Sequence, residues 1–191
     1  YRLPDGRGGD AVELPPATTV AGIERFADKA RGVRGAADVK RALRYACDNS
    51  LSPMETDIAE TMVFDPRMGG LGLEKPQLNP RFEVTRKNRR ALPQSAYLPD
   101  LFWPRANISV EYDSDKHHRG DRKASEDAIR RNGIEHLGTR VVTLTWGQAR
   151  NYYEFERVAL LVASALGKKF GPGWDAWANR RIELHRLLVQ R

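Results

Sequence analysis

Residues 99–113 read PDLFWPRANISVEYD, and this stretch decides the fold. The β-prone runs 97–103 and 108–113 flank Pro-Arg-Ala-Asn, which is a typical turn sequence, so the stretch predicts a tight β-hairpin. In a hairpin with a four-residue loop, Trp103 pairs with Ile108. This pairing sets the register of both strands and determines which side chains face each other across the hairpin.

The predicted register places several carboxylates on one face of the hairpin. Asp100 lies directly opposite Glu111, with Cβ atoms roughly 4.5–5.5 Å apart, and Asp113 lies two residues further along the same face. Folding alone gives no reason for this pairing, because like charges repel. A divalent cation bound by both carboxylates would remove the repulsion, and Mg²⁺ is typically held by one or two carboxylates with water and substrate phosphate. The alternative is a polar hairpin face in solvent.

Residues 52–55 read SPME and predict the start of a helix that ends near Phe64. Ser at the N-cap, Pro in the first turn and Glu three residues after the Ser form a capping box, which by itself accounts for Glu55. Glu55 also shares a helical stripe with Ile58 and Met62, which should face the sheet. The spacing therefore leaves two roles open for Glu55, that of a cap and that of a site residue.

Beyond the hairpin, His118 and Lys123 are candidates for proton transfer or charge neutralisation. The neutral imidazole of His118 can take a proton from water near pH 7, whereas a loop histidine bonded to the backbone is the alternative. Lys123 is placed to stabilise a pentacoordinate phosphate, or else it is a solvated surface lysine. Both interpretations stay open for each residue.

The charge balance favours a polyanionic partner. The chain has 191 residues, with 32 Lys and Arg against 25 Asp and Glu, which gives a formal net charge of +7. This balance is typical of nucleic-acid-binding proteins, and a basic surface without such a partner is the alternative. The candidate phosphate contacts are Arg86, Lys87, Arg89 and Arg90 in one basic turn, and Arg119, Arg122, Arg130 and Arg131 on or beside the next helix.

The composition also argues against several classes of protein. Cys47 is the only cysteine, so we expect neither a disulfide within the chain nor a cysteine-based zinc site, and a reducing cytosol suits the sequence. No apolar run approaches the roughly 20 residues that cross a membrane, and the polar, Gly-rich residues 1–10 are unlike a signal peptide. We therefore expect a cytoplasmic protein with no membrane partner. The missing initiator Met is compatible with a fragment of a longer chain.

The elements are predicted in the order α-βββ-α-β-α with extra helices at both ends, which indicates an α/β fold around a mixed sheet. We expect a linker and helical segment over 1–50, the main domain over 51–168 and a helical tail over 169–191. The strands are expected at about 78–85, 96–103, 108–113 and 140–146. The first helix is expected from about 18 onwards, with Val20, Ile23, Phe26 and Ala27 on one stripe. Further helices are expected at about 36–47, 52–64, 121–137, 152–166 and 174–189.

The segments Pro99-Asp100 and Val110-Glu111-Tyr112-Asp113, together with His118 and the strand 140–146, resemble the PD-(D/E)XK nuclease superfamily. The likeness is closest to its very-short-patch-repair-endonuclease-like branch of small bacterial endonuclease-type proteins, and it covers about residues 52–166. The resemblance implies a restriction-endonuclease-like core and a DNA endonuclease that uses Mg²⁺ or Mn²⁺. It further implies that Asp100 and Glu111 bind the metal and that Glu55, on the preceding helix, completes the site.

The chain departs from this superfamily in two respects. Asp113 stands where the superfamily usually has a lysine, so the resemblance makes Asp113 a further ligand and gives His118 or Lys123 the role of that lysine. The repair enzymes themselves carry a zinc site rich in Cys and His, which one cysteine cannot supply. Mismatch-repair specificity is therefore not expected here.

The leading hypothesis is a metal-dependent endonuclease that hydrolyses the phosphodiester bonds of DNA with metal-activated water. Its catalytic set is Glu55, Asp100, Glu111, Asp113, His118 and Lys123. A catalytically inactive module of the same fold, which binds nucleic acid or regulates a partner, is the main alternative, because the usual lysine is absent. A toxin or defence effector whose N-terminal domain lies outside this sequence is a further alternative.

Overall fold

A computed structural model describes residues 16–90, 92–114, 121–171 and 173–190, without the side chains of residues 121–124, 126 and 127. The helices in this part of the chain are α1 (Val20–Lys29), α2 (Ala36–Ala42), α3 (Pro53–Val63), α4 (Asp121–His136), α5 (Trp146–Arg150), α6 (Tyr152–Ala165) and α7 (Ala178–Leu188). The strands are β1 (Gln77–Leu78), β2 (Phe82–Glu83), β3 (Ala96–Tyr97), β4 (Leu101–Trp103), β5 (Ile108–Asp113) and β6 (Arg140–Thr145). No helix in the described ranges is long and apolar enough to span a membrane.

The sheet has the strand order β1-β4-β5-β6. Strand β4 is antiparallel to both β1 and β5, whereas β5 and β6 run parallel, with α4 as the crossover between them. Strands β2 and β3 form a separate antiparallel pair. The predicted α/β fold with a mixed sheet is therefore confirmed.

The hairpin of β4 and β5 has the predicted register. Trp103 pairs with Ile108 and Leu101 pairs with Val110. The loop closes with a hydrogen bond from the backbone N–H of Asn107 to the carbonyl of Pro104, and Asn107 has a φ of 47°. Asparagine tolerates this left-handed conformation better than most residues, which explains why a loop without glycine suffices here.

The predicted strand 78–85 is wrong as a single element. It is broken at Asn79, which has a φ of 49°, and at Pro80, which has no N–H to donate to a ladder. As a result, β1 joins the main sheet and β2 joins the small strand pair. The predicted strand 96–103 is likewise divided into β3 and β4, with Pro99 between them.

The N-terminal helices bury few of their residues. Only Ala27 of α1 is buried, and Phe26 is 73% exposed. Helix α2 ends at Ala42 rather than near 47, and it buries no residue. Beyond its end, the ammonium of Lys75 donates to the carbonyls of Leu43 and Ala46, so these groups no longer need a helical partner.

The two faces of the main sheet have different environments. Ile108 and Val110 on β5 belong to the main core, which includes residues of α3 and α6. Ser109 and Glu111 point to the other face. There, Ile134 of α4 packs in a second cluster with Tyr97, Val84 and Leu92. This alternation places Glu111 beneath α4.

The C-terminal helix α7 packs onto the main domain. Val189 is fully buried in the main core, and Leu188 packs against that core. Gly69 lies directly against α7: a Cβ at this position would lie 2.3 Å from the carbonyl oxygen of Arg180. The glycine therefore permits the close approach of α7.

Candidate functional site

Asp100 and Glu111 meet where β4 begins. The backbone N–H of Asp100 donates to Oε1 of Glu111 over 3.2 Å, and the N–H of Tyr112 donates to Oδ2 of Asp100 over 2.8 Å. Asp100 is 7% exposed and Glu111 is 5% exposed. The predicted convergence of these two carboxylates is therefore present, and each one is oriented by a backbone donor of the opposite strand.

Arg130 of α4 approaches both carboxylates. Its Nη1 lies 3.5 Å from Oδ1 of Asp100, and its Nη2 lies 3.6 Å from Oε2 of Glu111. From the sequence, Arg130 was expected only as a candidate phosphate contact. One signal in the sequence is that Arg130 lies four residues before the buried Ile134, so both share the helix face turned to the sheet.

The electrostatics of the pair are unfavourable. Burial, followed by the charge of Asp100, raises the pKa of Glu111 to about 8, although Arg130 acts in the opposite direction. Within the described residues, Oε2 of Glu111 has no hydrogen-bond partner. A buried carboxyl group in this situation either keeps its proton or needs a cation nearby, and Nη2 of Arg130 lies 3.6 Å from this oxygen.

Glu55 forms only one half of the predicted capping box, because its carboxylate reaches the N–H of Leu51 rather than that of Ser52. The Oγ of Ser52 accepts from the N–H of Glu55 over 3.2 Å, and Oε2 of Glu55 accepts from the N–H of Leu51 over 2.9 Å. Oε2 also accepts from Nδ2 of Asn79 over 2.6 Å, and the N–H of Asn79 donates to the carbonyl of Asp100 over 3.0 Å. Glu55 is thus connected to Asp100 through Asn79, and its role as a third metal ligand stays a prediction.

Asn79 was missed by the sequence analysis, because residues 78–85 were expected to be a regular strand. Its backbone is left-handed, and its side chain lies near the start of α3. Its Nδ2 also donates to the carbonyl of Asn49, which precedes that helix, over 3.0 Å. The signal was the dipeptide Asn79-Pro80, which is typical of a turn rather than a strand interior.

Asp113 is at the end of β5, opposite Thr145 of β6, and is partly buried. It points to the same face as Glu111, as the alternation along a strand requires. His118 and Arg119 lie outside the described residues, as do the side chains of Lys123 and Arg122. Their proposed roles therefore stay predictions.

The donor chemistry suits a hard cation, with two carboxylates at the site and a third at its border. Among the residues that the structure describes, however, no group of three or more His, Cys, Asp and Glu side chains is arranged to hold a metal. Asp100 and Glu111 can therefore supply two ligands, and water and substrate phosphate would have to supply others. This arrangement is the usual one for Mg²⁺.

The basic turn lies between β2 and β3, as predicted. Arg86, Lys87, Arg89 and Arg90 are all exposed. The N–H of Asn88 within the turn donates to the carbonyl of Thr85 over 3.0 Å. The turn thus presents four cationic side chains to solvent, and their contact with nucleic acid stays a prediction.

No family model, no curated protein and no solved structure matches this chain.

Proposed function

We propose that this protein is a metal-dependent endonuclease that hydrolyses phosphodiester bonds, with DNA as its substrate. The observation that carries the proposal is the convergence of Asp100 and Glu111 on the α4 face of the sheet. Isolated β-pairing disfavours two carboxylates in this position, and a cation that both bind would offset the repulsion. The buried Oε2 of Glu111 supports the same proposal.

The order of the elements supports the finer proposal of a restriction-endonuclease-like core. Helix α3 precedes the antiparallel strands, α4 crosses over to the parallel strand β6, and α6 follows. This is the α-βββ-α-β-α order that the resemblance to PD-(D/E)XK nucleases implies. In such a core, Asp100 and Glu111 hold Mg²⁺ or Mn²⁺, with Glu55 and Asp113 as further candidates.

The residues of the chain divide the catalytic work. When bound, the ion would polarise a phosphoryl oxygen and activate water as the nucleophile. The N–H groups of Tyr112 and Asp100 hold the two carboxylates in place for this task. His118 or Lys123 takes up the proton or neutralises the developing charge, and the exposed turn Arg86–Arg90 attracts the phosphate backbone without reading its sequence.

A nuclease-fold module that binds nucleic acid without cleaving it is the second candidate. The observation in its favour is that Arg130 already forms ion pairs with both carboxylates. A guanidinium in this position lowers the repulsion without any metal. Asp113 in place of the usual lysine favours the same alternative.

Plasmid cleavage separates the two candidates. Supercoiled DNA is incubated with Mg²⁺, Mn²⁺ or a chelator, and with the wild type, Asp100→Asn and Glu111→Gln. Glu135→Gln is the matched control, because Glu135 is an exposed acid on α4. We expect metal-dependent nicking by the wild type and the control, and a loss of at least about 100-fold in the two site variants.

Binding of DNA by the wild type without metal-dependent nicking would establish the non-catalytic alternative. Nicking that persists in both site variants would assign the activity to a contaminant and reject the proposed site.

A further inference from the structure

The guanidinium of Arg130 lies between the two carboxylates of the candidate site. Its nitrogens are 3.5 Å from Oδ1 of Asp100 and 3.6 Å from Oε2 of Glu111. The other oxygen of each carboxylate already accepts a backbone N–H, so a cation that binds both groups would meet the oxygens that Arg130 faces. Arg130 and such a cation therefore compete for the same place.

The contacts of Arg130 with the carboxylates are compatible with exchange. Both exceed the roughly 2.7–2.9 Å of a strong charge-assisted hydrogen bond, so the attraction is mainly Coulombic. The side chain of Arg130 is 35% exposed, whereas those of Asp100 and Glu111 are 10% and 6% exposed. The arginine thus has a route to solvent that its partners lack.

The backbone of α4 is held in place beneath this side chain. Gly133 lies so near the ring of Tyr97 that an added Cβ would be 2.2 Å from Cε1, and Ile134 is fully buried. Exchange would therefore move the long side chain of Arg130 rather than the helix. A displaced guanidinium would stay within reach of the site, because the helix that carries it would not move.

We propose that Arg130 has two successive partners. In the metal-free protein it contacts both Asp100 and Glu111; a divalent cation displaces it, and the guanidinium then binds the substrate phosphate. This inference rests on the proposed function, because it concerns the same cation and substrate. It adds a positioning residue for the phosphate and a reason why the carboxylate pair is tolerated before metal binds.

The first arm of the test measures Mn²⁺ binding by electron paramagnetic resonance for the wild type and Arg130→Gln. The control is Arg140→Gln, which removes the same charge from an exposed position at the start of β6, opposite Ile108 and away from Glu111. We expect Arg130→Gln to bind Mn²⁺ about tenfold more tightly, because no side chain has to be displaced. The control should stay within about twofold of the wild type, because distant surface charges are screened.

The second arm measures the affinity for a labelled DNA duplex, with Ca²⁺ in one series and a chelator in the other. With Ca²⁺, Arg130→Gln should bind DNA about tenfold more weakly than the wild type, because a charge-assisted phosphate contact is lost. With the chelator the two proteins should bind equally, since Arg130 is then held by the carboxylates.

Each outcome bears on a different part of the proposal. Unchanged Mn²⁺ affinity in Arg130→Gln would overturn the exchange, and unchanged DNA affinity with Ca²⁺ would overturn the phosphate role. If no variant binds Mn²⁺, the metal of the proposed function fails together with this inference. If circular dichroism shows that Arg130→Gln does not fold, Arg130→Lys replaces it: a lysine keeps the charge but loses the fork, so Mn²⁺ binding tighter than wild type is again expected.

Discussion

Glu111 combines two properties that rarely occur together in a stable sheet. It is almost fully buried, and it faces a second carboxylate across the strand pair. Burial and the charge of Asp100 raise its pKa from 4.5 to about 8. The folded protein therefore retains a proton on Glu111 at pH values where the unfolded chain releases it.

This difference makes the stability of the metal-free protein depend on pH. Between about pH 4.5 and 8 unfolding releases the proton of Glu111, so the free energy of unfolding falls as the pH rises. Glu111→Gln cannot lose a proton and should escape this fall. The fall in the free energy of unfolding amounts to about a few kcal/mol. From pH 5 to pH 8, the melting temperature of the variant should therefore rise relative to that of the wild type by about 5 °C or more.

Thermal unfolding followed by circular dichroism, in the presence of a chelator, measures this effect. Glu135→Gln provides the control, because Glu135 is exposed on α4 and its variant should follow the wild type at both pH values. Parallel pH profiles for Glu111→Gln and the wild type would show that the carboxylate pair does not carry the expected proton.

At the scale of elements, helix α4 is held against β3 by a contact that requires glycine. A Cβ at Gly133 would lie 2.2 Å from Cε1 of the Tyr97 ring, and Tyr97 is 1% exposed. A larger residue at this position would require the buried ring or the helix to shift. Because Arg130 is one turn before Gly133, this contact also determines where Arg130 meets the carboxylates.

The substitution Gly133→Ala should therefore lower the free energy of unfolding, although alanine is the better helix former. We expect a loss of about 1–3 kcal/mol, which is typical of overpacking in a core. Gly147→Ala in α5 is the matched control, because the added methyl group would meet nothing within 4 Å. The control should be neutral or stabilising by up to about 1 kcal/mol. Urea denaturation measures both, and equal effects in the two variants would contradict the packing argument.

Local patterns predicted their elements well. The register of Trp103 with Ile108 was predictable because a short loop leaves few alternatives, and the cap at Ser52 depends on only three further residues. The ion pairs of Arg130 were not predictable, because they depend on how α4 lies across the sheet. The break at Asn79 was missed for a different reason: the alternation of apolar residues outweighed a turn signal that was present in the sequence.

At the scale of the whole molecule, the C-terminal segment belongs to the same core as the sheet. Arg181 of α7 is 3% exposed, and its Nε donates to the hydroxyl of Tyr152 over 3.1 Å and to Oε1 of Glu156 over 3.2 Å. Its Nη1 donates to the carbonyl of Trp174 over 2.7 Å, and its guanidinium lies over the ring of that residue at 3.7 Å. Arg181 thus joins α6 and α7 through a buried polar network. From the sequence, Arg181 was only one residue of the helix expected at about 174–189.

Arg181→Ala should consequently destabilise the entire domain rather than only detach a tail. The substitution removes the cationic partner of Glu156. Breaking a buried ion pair in this way typically lowers the free energy of unfolding by about 3–5 kcal/mol. We expect one cooperative unfolding transition in differential scanning calorimetry, shifted to lower temperature by about 6–20 °C for a domain of this size. Arg186→Ala is the control, because Arg186 is exposed on the same helix and its loss should change the stability by no more than about 0.5 kcal/mol. A separate low-temperature transition in Arg181→Ala, with the main transition unmoved, would mean that α7 unfolds on its own and is not part of the cooperative core.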